Sequence, residues 1–102
     1  MTQEDAENLL REAGQAADES FPLFDAAVAC AVHEDPARDP RAALDLAGLG
    51  VERLSARLRN ESPEEALAET LAGDLGLTGD LLTYDHPDNA CVVAVAVRRR
   101  GL

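Results

Sequence analysis

Lysine is absent from this sequence, and all nine basic residues are arginines. They stand against 20 acidic residues, so the formal net charge is −11. A strongly negative field repels nucleic acid and anionic membranes, and it suits a basic protein partner or simply solubility. We therefore expect another protein as the partner, with a basic protein and a second copy of the chain both open, and we expect neither nucleic acid nor membrane as a partner.

Aromatic residues are scarce, at 3%, although 46% of the chain is hydrophobic. That hydrophobic fraction argues against disorder, which requires low hydrophobicity together with high net charge. The apolar residues are mostly Ala, Leu and Val, and each small side chain buries little area, at roughly 25 cal/mol per Å². We expect a thin core of modest stability, which a partner or a second copy of the chain would stabilise.

Cysteine and long apolar runs are also scarce. Two cysteines, Cys30 and Cys91, are too few for a disulfide framework. No apolar run approaches the roughly 20 residues that span a bilayer, and the acidic N-terminus is the opposite of a signal peptide's basic start. The sequence therefore predicts a cytoplasmic protein, and its 102 residues predict a single helical domain over 1–102.

Capping and spacing signals predict two helices in the first third of the chain. Thr2 and Asp5 form a capping-box pattern, which favours a first helix from about Gln3 to Asp18. A second helix is predicted to open at Ser20 and Pro22. This helix is predicted to end near His33. Its predicted apolar stripe consists of Leu23, Phe24, Ala27, Val28, Ala31 and Val32.

Two more helices follow by the same reasoning. Asp39-Pro40 predicts a helix start, and Gly48 and Gly50 leave a kink or break open within that helix. Ser62-Pro63-Glu64-Glu65 is the strongest helix-start signal in the chain, and Gly76 is a suitable terminator. The apolar positions predicted for the third helix are Leu44, Ala47, Val51, Leu54 and Leu58, and those for the fourth are Leu67, Leu71 and Leu75.

The last part of the chain is ambiguous. Residues 77–87 are predicted to form a loop, with Asp88 or Asn89 capping a final segment over 90–100. Its β-branched valines are typical of a strand, whereas its terminal arginines and Gly101 favour a helix. We favour the helix and leave the strand open, so the predicted fold class is all-α, a small bundle of four or five helices.

This C-terminal region resembles a known family. Gly79-Asp80, the stretch from Tyr84 to Asn89, and Arg98-Arg99-Arg100-Gly101 are similar to motifs of a bacterial transglutaminase-like family. That family is related to the Sir invasion-regulator proteins and is often accompanied by tetratricopeptide repeats. The chain departs from the family at Ala90, where serine is usual, and at Cys91, where a bulky apolar or aromatic residue is usual.

The resemblance implies an N-terminal helical part without the catalytic core. In the wider superfamily the nucleophile lies at the start of the helix after the Arg-rich segment, and this chain ends at Leu102, where that helix is expected to begin. The family likeness therefore implies a truncated, non-catalytic domain, and we expect no cofactor.

Two combinations of cysteine and histidine are candidate sites. Cys91 with His86 could act as a thiol nucleophile and its base, oriented by Asp85 or Asp88, but we favour the simpler interpretation that Cys91 packs as a small apolar residue. Cys30 and His33 lie three residues apart on a helix and form a half-site for a metal, which His86 and Cys91 could complete as a zinc set. We predict neither a catalytic nor a metal site.

The arginine triplet, Arg98, Arg99 and Arg100, is the candidate interaction site, either for an anion or for acids on another helix. A favourable interaction with the C-terminus of its own helix is the simpler interpretation. The predicted function is a non-catalytic protein-interaction domain. The alternatives are a small acidic inhibitor or nucleic-acid mimic that binds a basic protein, and a thiol hydrolase that uses Cys91.

Overall fold

The computed structural model describes residues 1–83 and 85–101. Its α-helices are α1 (Gln3–Gln15), α2 (Leu23–Glu34), α3 (Arg41–Arg57), α4 (Pro63–Ala68) and α5 (Val92–Arg98). A π-helical turn over Glu69–Asp74 continues α4, and 3₁₀ turns occupy Asp18–Ser20 and Pro87–Ala90. The prediction of a small all-α bundle is confirmed, and the ambiguous last segment is a helix.

A short parallel pairing closes the C-terminal end. β1 (Thr78–Gly79) pairs with β2 (Arg100–Gly101), with Thr78 opposite Arg100 and Gly79 opposite Gly101. The predicted loop over 77–87 therefore contains a strand. The pairing ties the segment that follows the π turn to the segment that follows α5.

Several predicted helix ends are confirmed. The Thr2 hydroxyl accepts from the Asp5 amide, and the Asp5 carboxylate accepts from the Thr2 amide, which completes the capping box. The Ser62 hydroxyl accepts from the Glu65 amide at the start of α4. Gly76 has φ +63°, the left-handed conformation that glycine adopts without steric cost.

Other ends differ from the prediction. α1 ends at Gln15 because Ala16 is extended, and Ser20 lies in a 3₁₀ turn, where its hydroxyl donates to the Ala17 carbonyl. Pro22 precedes α2 rather than lying in its first turn. Gly48 and Gly50 cause no break, since α3 is continuous.

The ends of α5 also differ. Cys91 occupies the N-cap position of α5, and its side chain does not cap the helix. Asp88 and Asn89, the predicted caps, lie in the preceding 3₁₀ turn. Arg99 rather than Gly101 adopts the left-handed conformation after the helix, with φ 58°.

The core consists of two small clusters on two neighbouring faces of α2. α1 packs on one face through Ala6, Ala29 and Val32, which are completely buried. The other face contacts α3 and α5 through Val28, Ala31, Ala43, Val93 and Ala96. Because α2 is covered twice, its buried residues do not form one stripe, and Leu23 and Ala27 are exposed, contrary to the prediction.

The predicted apolar seams of α3 and α4 are only partly buried. In α3 the one buried residue is Ala43, while Leu44, Val51 and Leu58 are exposed. In the fourth helix Leu75 is buried, but Leu67 and Leu71 are exposed. These leucines have the predicted helical spacing, yet no other element of the described chain covers them.

Candidate functional site

An apolar groove is the most distinctive surface feature of the fold. It lies between α3, the α4–π segment and α5, and it encloses a cavity of 290 Å³. All but one of its lining residues are apolar or glycine. The lining consists of Phe24, Ala43, Leu46, Ala47, Gly50, Val51, Leu54, Leu67, Thr70, Leu71, Leu75, Leu77, Val92, Val95 and Ala96.

Large apolar side chains at the groove are open to solvent. Val51 is 67% exposed, Leu67 47% and Leu71 40%. They lie on two different helices and face the same cavity. A contiguous exposed apolar surface of this kind on a globular domain is typical of a binding surface.

The floor of the groove depends on close packing between α3 and the π turn. A Cβ on Gly50 would lie 3.3 Å from Leu75 Cδ1, so glycine at position 50 lets Leu75 approach α3 closely. Thr70 lies in the π turn and is 1% exposed, and its hydroxyl has no hydrogen-bond partner among the described residues. This hydroxyl is the only polar side-chain group among the lining residues.

A charged cluster joins the end of α3 to the π turn. Arg57 at the end of α3 donates to both carboxylate oxygens of Asp74, at 3.1 and 3.0 Å, and it also contacts Glu69 and Glu61. The hydrogen bonds with Asp74 raise the pKa of Arg57, and they lower the pKa of Asp74. Burial raises the pKa of Glu61, and the neighbouring Glu69 carboxylate raises it further. The cluster holds the π turn against α3.

A second polar network fixes the C-terminal end. Asp80 is 3% exposed and accepts from the backbone amides of Leu82 and Thr83 and from the Thr83 hydroxyl. These bonds, led by the one from the Thr83 amide, hold the pKa of Asp80 well below its usual range. Arg98 donates to Asp80 and to Asn89. The loop after β1 is thereby attached to α5.

The structure separates the three residues of the predicted arginine site. Arg98 is engaged with Asp80, and Arg99 donates to the backbone carbonyls of Ala96 and Leu75. Arg100 is exposed and has no ion pair in the part of the chain that the structure describes. Two of the three arginines are therefore occupied within the fold, and Arg100 is the one available to another molecule.

The candidate pair Cys91 and His86 is not joined directly. Cys91 Sγ accepts from Arg38 Nη1 at 3.1 Å, and Arg38 also pairs with Asp88. His86 Nδ1 accepts from the Asp88 amide at 3.1 Å, within its own loop. Among the described hydrogen bonds, none connects His86 with the Cys91 sulfur.

The fold brings the two cysteines, which lie far apart in the sequence, to the same cavity. Cys30 and Cys91 line one cavity of 340 Å³ between α2 and the 3₁₀ turn before α5, with Glu34 on its border. His33 is exposed on α2. Within residues 1–83 and 85–101, no group of three or more His, Cys, Asp or Glu side chains could hold a metal ion.

Sequence reasoning did not predict the groove. It identified most of the leucines and valines that line it, but it assigned them to a buried seam. The one signal was compositional: a core of small residues suggested that a partner would add apolar surface. Tyr84 and Leu102, named in the family resemblance, lie outside the described residues.

Comparisons with known proteins gave no match to a family model, a curated protein or a solved structure. In the described part of the chain, no helix combines the length and apolar character that crossing a membrane requires.

Proposed function

We propose that this chain is a non-catalytic, helical protein-interaction domain whose groove binds an apolar segment of a basic protein. The observation that carries the proposal is the exposure of Val51, Leu67 and Leu71 around a single cavity. Fully burying one leucine or valine side chain is worth about 1.5–3 kcal/mol. A partner that covers all three would gain a substantial apolar contact.

The shape of the groove favours a helical ligand. Its walls are helices, and its lining residues recur at the three- and four-residue steps that a helix presents along one face. An amphipathic helix can insert side chains at matching steps into such a groove. We infer that the partner's segment carries large apolar residues on one face.

Charge favours a basic partner. The net charge of −11 attracts basic proteins at long range and speeds their association. Glu64 is exposed, and it lies three residues before Leu67 and seven before Leu71, so it belongs to the same side of α4 as the groove. An arginine or lysine beside the apolar face of the ligand would meet this carboxylate.

An acidic inhibitor or nucleic-acid mimic is the second candidate. Exposed acids along α1, among them Glu4, Glu7 and Glu12, favour it. A nucleic-acid mimic binds its basic partner through charge and does not require an apolar groove. Its binding to that partner should therefore be lost in moderate salt. The relation to transglutaminase-like proteins stays a prediction from the sequence motifs, and the interaction proposal does not depend on it.

Two synthetic amphipathic helices test the proposal. Both carry the same leucine stripe over about 18 residues, a length at which an isolated helix can form. One has arginines on its polar face and the other has glutamates. We expect the basic peptide to bind the chain, and the acidic peptide to bind at least about tenfold more weakly at low salt, measured by fluorescence anisotropy.

Matched variants locate the binding. Leu71→Glu places a carboxylate in the apolar groove. It should lower the affinity of the chain for the basic peptide by at least about tenfold, or about 1.4 kcal/mol of binding free energy. Leu44→Glu is the control, because Leu44 is 47% exposed but does not line the groove. Failure of the basic peptide to bind, or equal binding by both variants, would contradict the proposal. If binding disappears in moderate salt and Leu71→Glu leaves the affinity unchanged, the result would support the nucleic-acid mimic as the function.

A further inference from the structure

The cavity that Cys30 and Cys91 share holds two free thiols. Cys30 is exposed on α2, and Cys91 is half-buried at the N-cap of α5. The cavity has a volume of 340 Å³. Hydrogen peroxide is little larger than water, whose share of liquid volume is about 30 Å³. The cavity is therefore a dithiol site with room for a small oxidant.

The lining around the two thiols is made of small side chains. Ala27, Ala31 and Ala90 line the cavity together with the cysteines. The one long side chain in the lining, Glu34, is 77% exposed and pairs with Arg38 at 3.8 Å. Small side chains thus leave the approach of one sulfur to the other open.

Arg38 places a cationic donor at the sulfur of Cys91. Its Nη1 donates to Cys91 Sγ at 3.1 Å, and ion pairs with Asp88 at 3.5 Å and Asp35 at 3.9 Å hold the guanidinium in place. When a sulfur attacks a peroxide, negative charge develops on the oxygen that leaves, and a guanidinium beside the sulfur stabilises that charge. Among the described hydrogen bonds, none gives Cys30 such a donor. These contacts favour Cys91 as the thiol that reacts first.

We propose that Cys30 and Cys91 form a peroxide-sensitive dithiol site, which oxidises to a disulfide between α2 and the start of α5. First, the Cys91 sulfur attacks one oxygen of hydrogen peroxide. An S–O bond forms, the O–O bond breaks, and the leaving oxygen departs as water with the thiol proton. Next, the Cys30 sulfur attacks the Cys91 sulfur. An S–S bond forms, the S–O bond breaks, and the hydroxide leaves as a second water with the Cys30 proton, so two electrons pass from the thiols to one peroxide.

Cys91 stands at a junction where a local adjustment costs little. A disulfide requires the two Cβ atoms about 3.5–4.5 Å apart. Cys91 lies between the four-residue 3₁₀ turn and the seven-residue α5, and its amide donates to the Asp88 carbonyl at 3.2 Å. Short elements such as these move with the loss of few backbone hydrogen bonds. Closure of the disulfide therefore falls on this junction, and α2 keeps its position.

Intact-mass spectrometry of the reduced full chain, treated with hydrogen peroxide, tests the proposal. We expect the unmodified chain to lose the mass of two hydrogen atoms, to become resistant to iodoacetamide, and to recover both thiols with dithiothreitol. Cys30→Ser should stop at the Cys91 sulfenic acid, with the mass of one added oxygen atom, which dimedone captures. Cys91→Ser should be oxidised at least about tenfold more slowly than Cys30→Ser.

The role of Arg38 is tested in the Cys30→Ser background. Adding Arg38→Gln should slow the oxidation of Cys91 at least about tenfold, whereas Arg11→Gln, on α1 and outside the cavity, should leave the rate unchanged. Circular dichroism checks that both variants keep their helices. In concentrated urea Cys30→Ser and Cys91→Ser should be oxidised at equal rates, because the advantage of Cys91 comes from the fold.

Three results would overturn the proposal. They are a disulfide-linked dimer as the main product, oxygen added to both cysteines without a bridge, and equal oxidation rates for the folded Cys30→Ser and Cys91→Ser variants. None of these measurements involves the apolar groove, so the dithiol site stands or falls independently of peptide binding there.

Discussion

The contact between α1 and α2 and the groove beside α3 are both formed by helices, but the first is buried and the second is exposed to solvent. Where α1 meets α2, Ala6, Ala29 and Val32 are completely buried, and Leu9 and Leu10 pack against them as partly buried side chains. Around the groove, α3 and the α4–π segment present the large side chains Val51, Leu67 and Leu71, and these stay in contact with water.

The difference follows from side-chain size and from the number of neighbours. Small residues let two helix backbones approach until no space is left between them, which gives dense packing. Larger residues keep helices apart, and the wedge between them closes only if a third element fills it. α5 has seven residues and covers only one end of that wedge. Substitutions in the two regions should therefore have different consequences.

The largest expected effect is at the floor of the groove. Leu75→Ala removes a side chain that is 5% exposed and that packs against Gly50, so it should cost about 2–5 kcal/mol of unfolding free energy. Urea denaturation followed by circular dichroism measures this cost. A loss no greater than that of a surface substitution would show that the floor is not packed as the structure has it.

An enlarged side chain should destabilise the α1–α2 contact more than the groove. Ala29→Leu forces extra volume into the closed α1–α2 contact and should cost about 1–3 kcal/mol. The same substitution at Ala47, which is half-buried and lines the open groove, should cost less than about 1 kcal/mol, because the groove has room. Equal losses of thermal stability in the two variants would contradict the contrast between closed and open packing.

Acid titration examines the C-terminal network. The folded state holds the pKa of Asp80 below its unfolded value of about 3.9, because the Thr83 amide and hydroxyl donate to its carboxylate. Its contribution to stability is therefore complete above the unfolded pKa and is lost as pH falls toward the folded pKa. Asp80→Asn should destabilise the chain at neutral pH and should lose less stability than the unmodified chain on acidification.

The measurement is the urea midpoint of both chains from neutral pH down to about pH 2, a range that includes the unfolded pKa of an aspartate. Asp45→Asn is the control, since Asp45 is exposed and makes no hydrogen bond in the part of the chain that the structure describes. Parallel acid curves for Asp80→Asn and the unmodified chain would argue against a carboxylate that is preferentially charged in the folded state.

The smallest expected effect on stability is at the rim of the groove. Leu71→Ser should cost about 1 kcal/mol or less of unfolding free energy, well below the cost of Leu75→Ala, because the side chain is already 40% exposed. The comparison with Leu75→Ala is therefore a comparison of two leucines four residues apart in the same helical stretch. A large loss for Leu71→Ser in urea denaturation would mean that the rim belongs to the core.

The features that sequence reasoning predicted well are those in which cause and effect lie within a few residues. The Thr2 and Asp5 capping box, the Ser62 cap and the left-handed Gly76 all depend on bonds or dihedral angles inside one turn of chain. The spacing that identified Leu67, Leu71 and Leu75 as one face of a helix was also correct. The cap of α5 was wrong because Asp88 and Asn89 bond to Arg38, Thr83 and Arg98 instead.

By itself, then, the sequence determined the all-α class, the positions of most helices and the acidic character of the surface, because propensity, capping and charge are local or additive. Only the tertiary structure decided which leucines are covered, that Cys30 and Cys91 share a cavity, and that β1 and β2 tie the loop after the π turn to the end of α5. Those outcomes depend on contacts between residues tens of positions apart. A periodic pattern shows that a helix has an apolar face, but only packing decides whether another helix of the same chain covers it, and here Val51, Leu67 and Leu71 stay exposed.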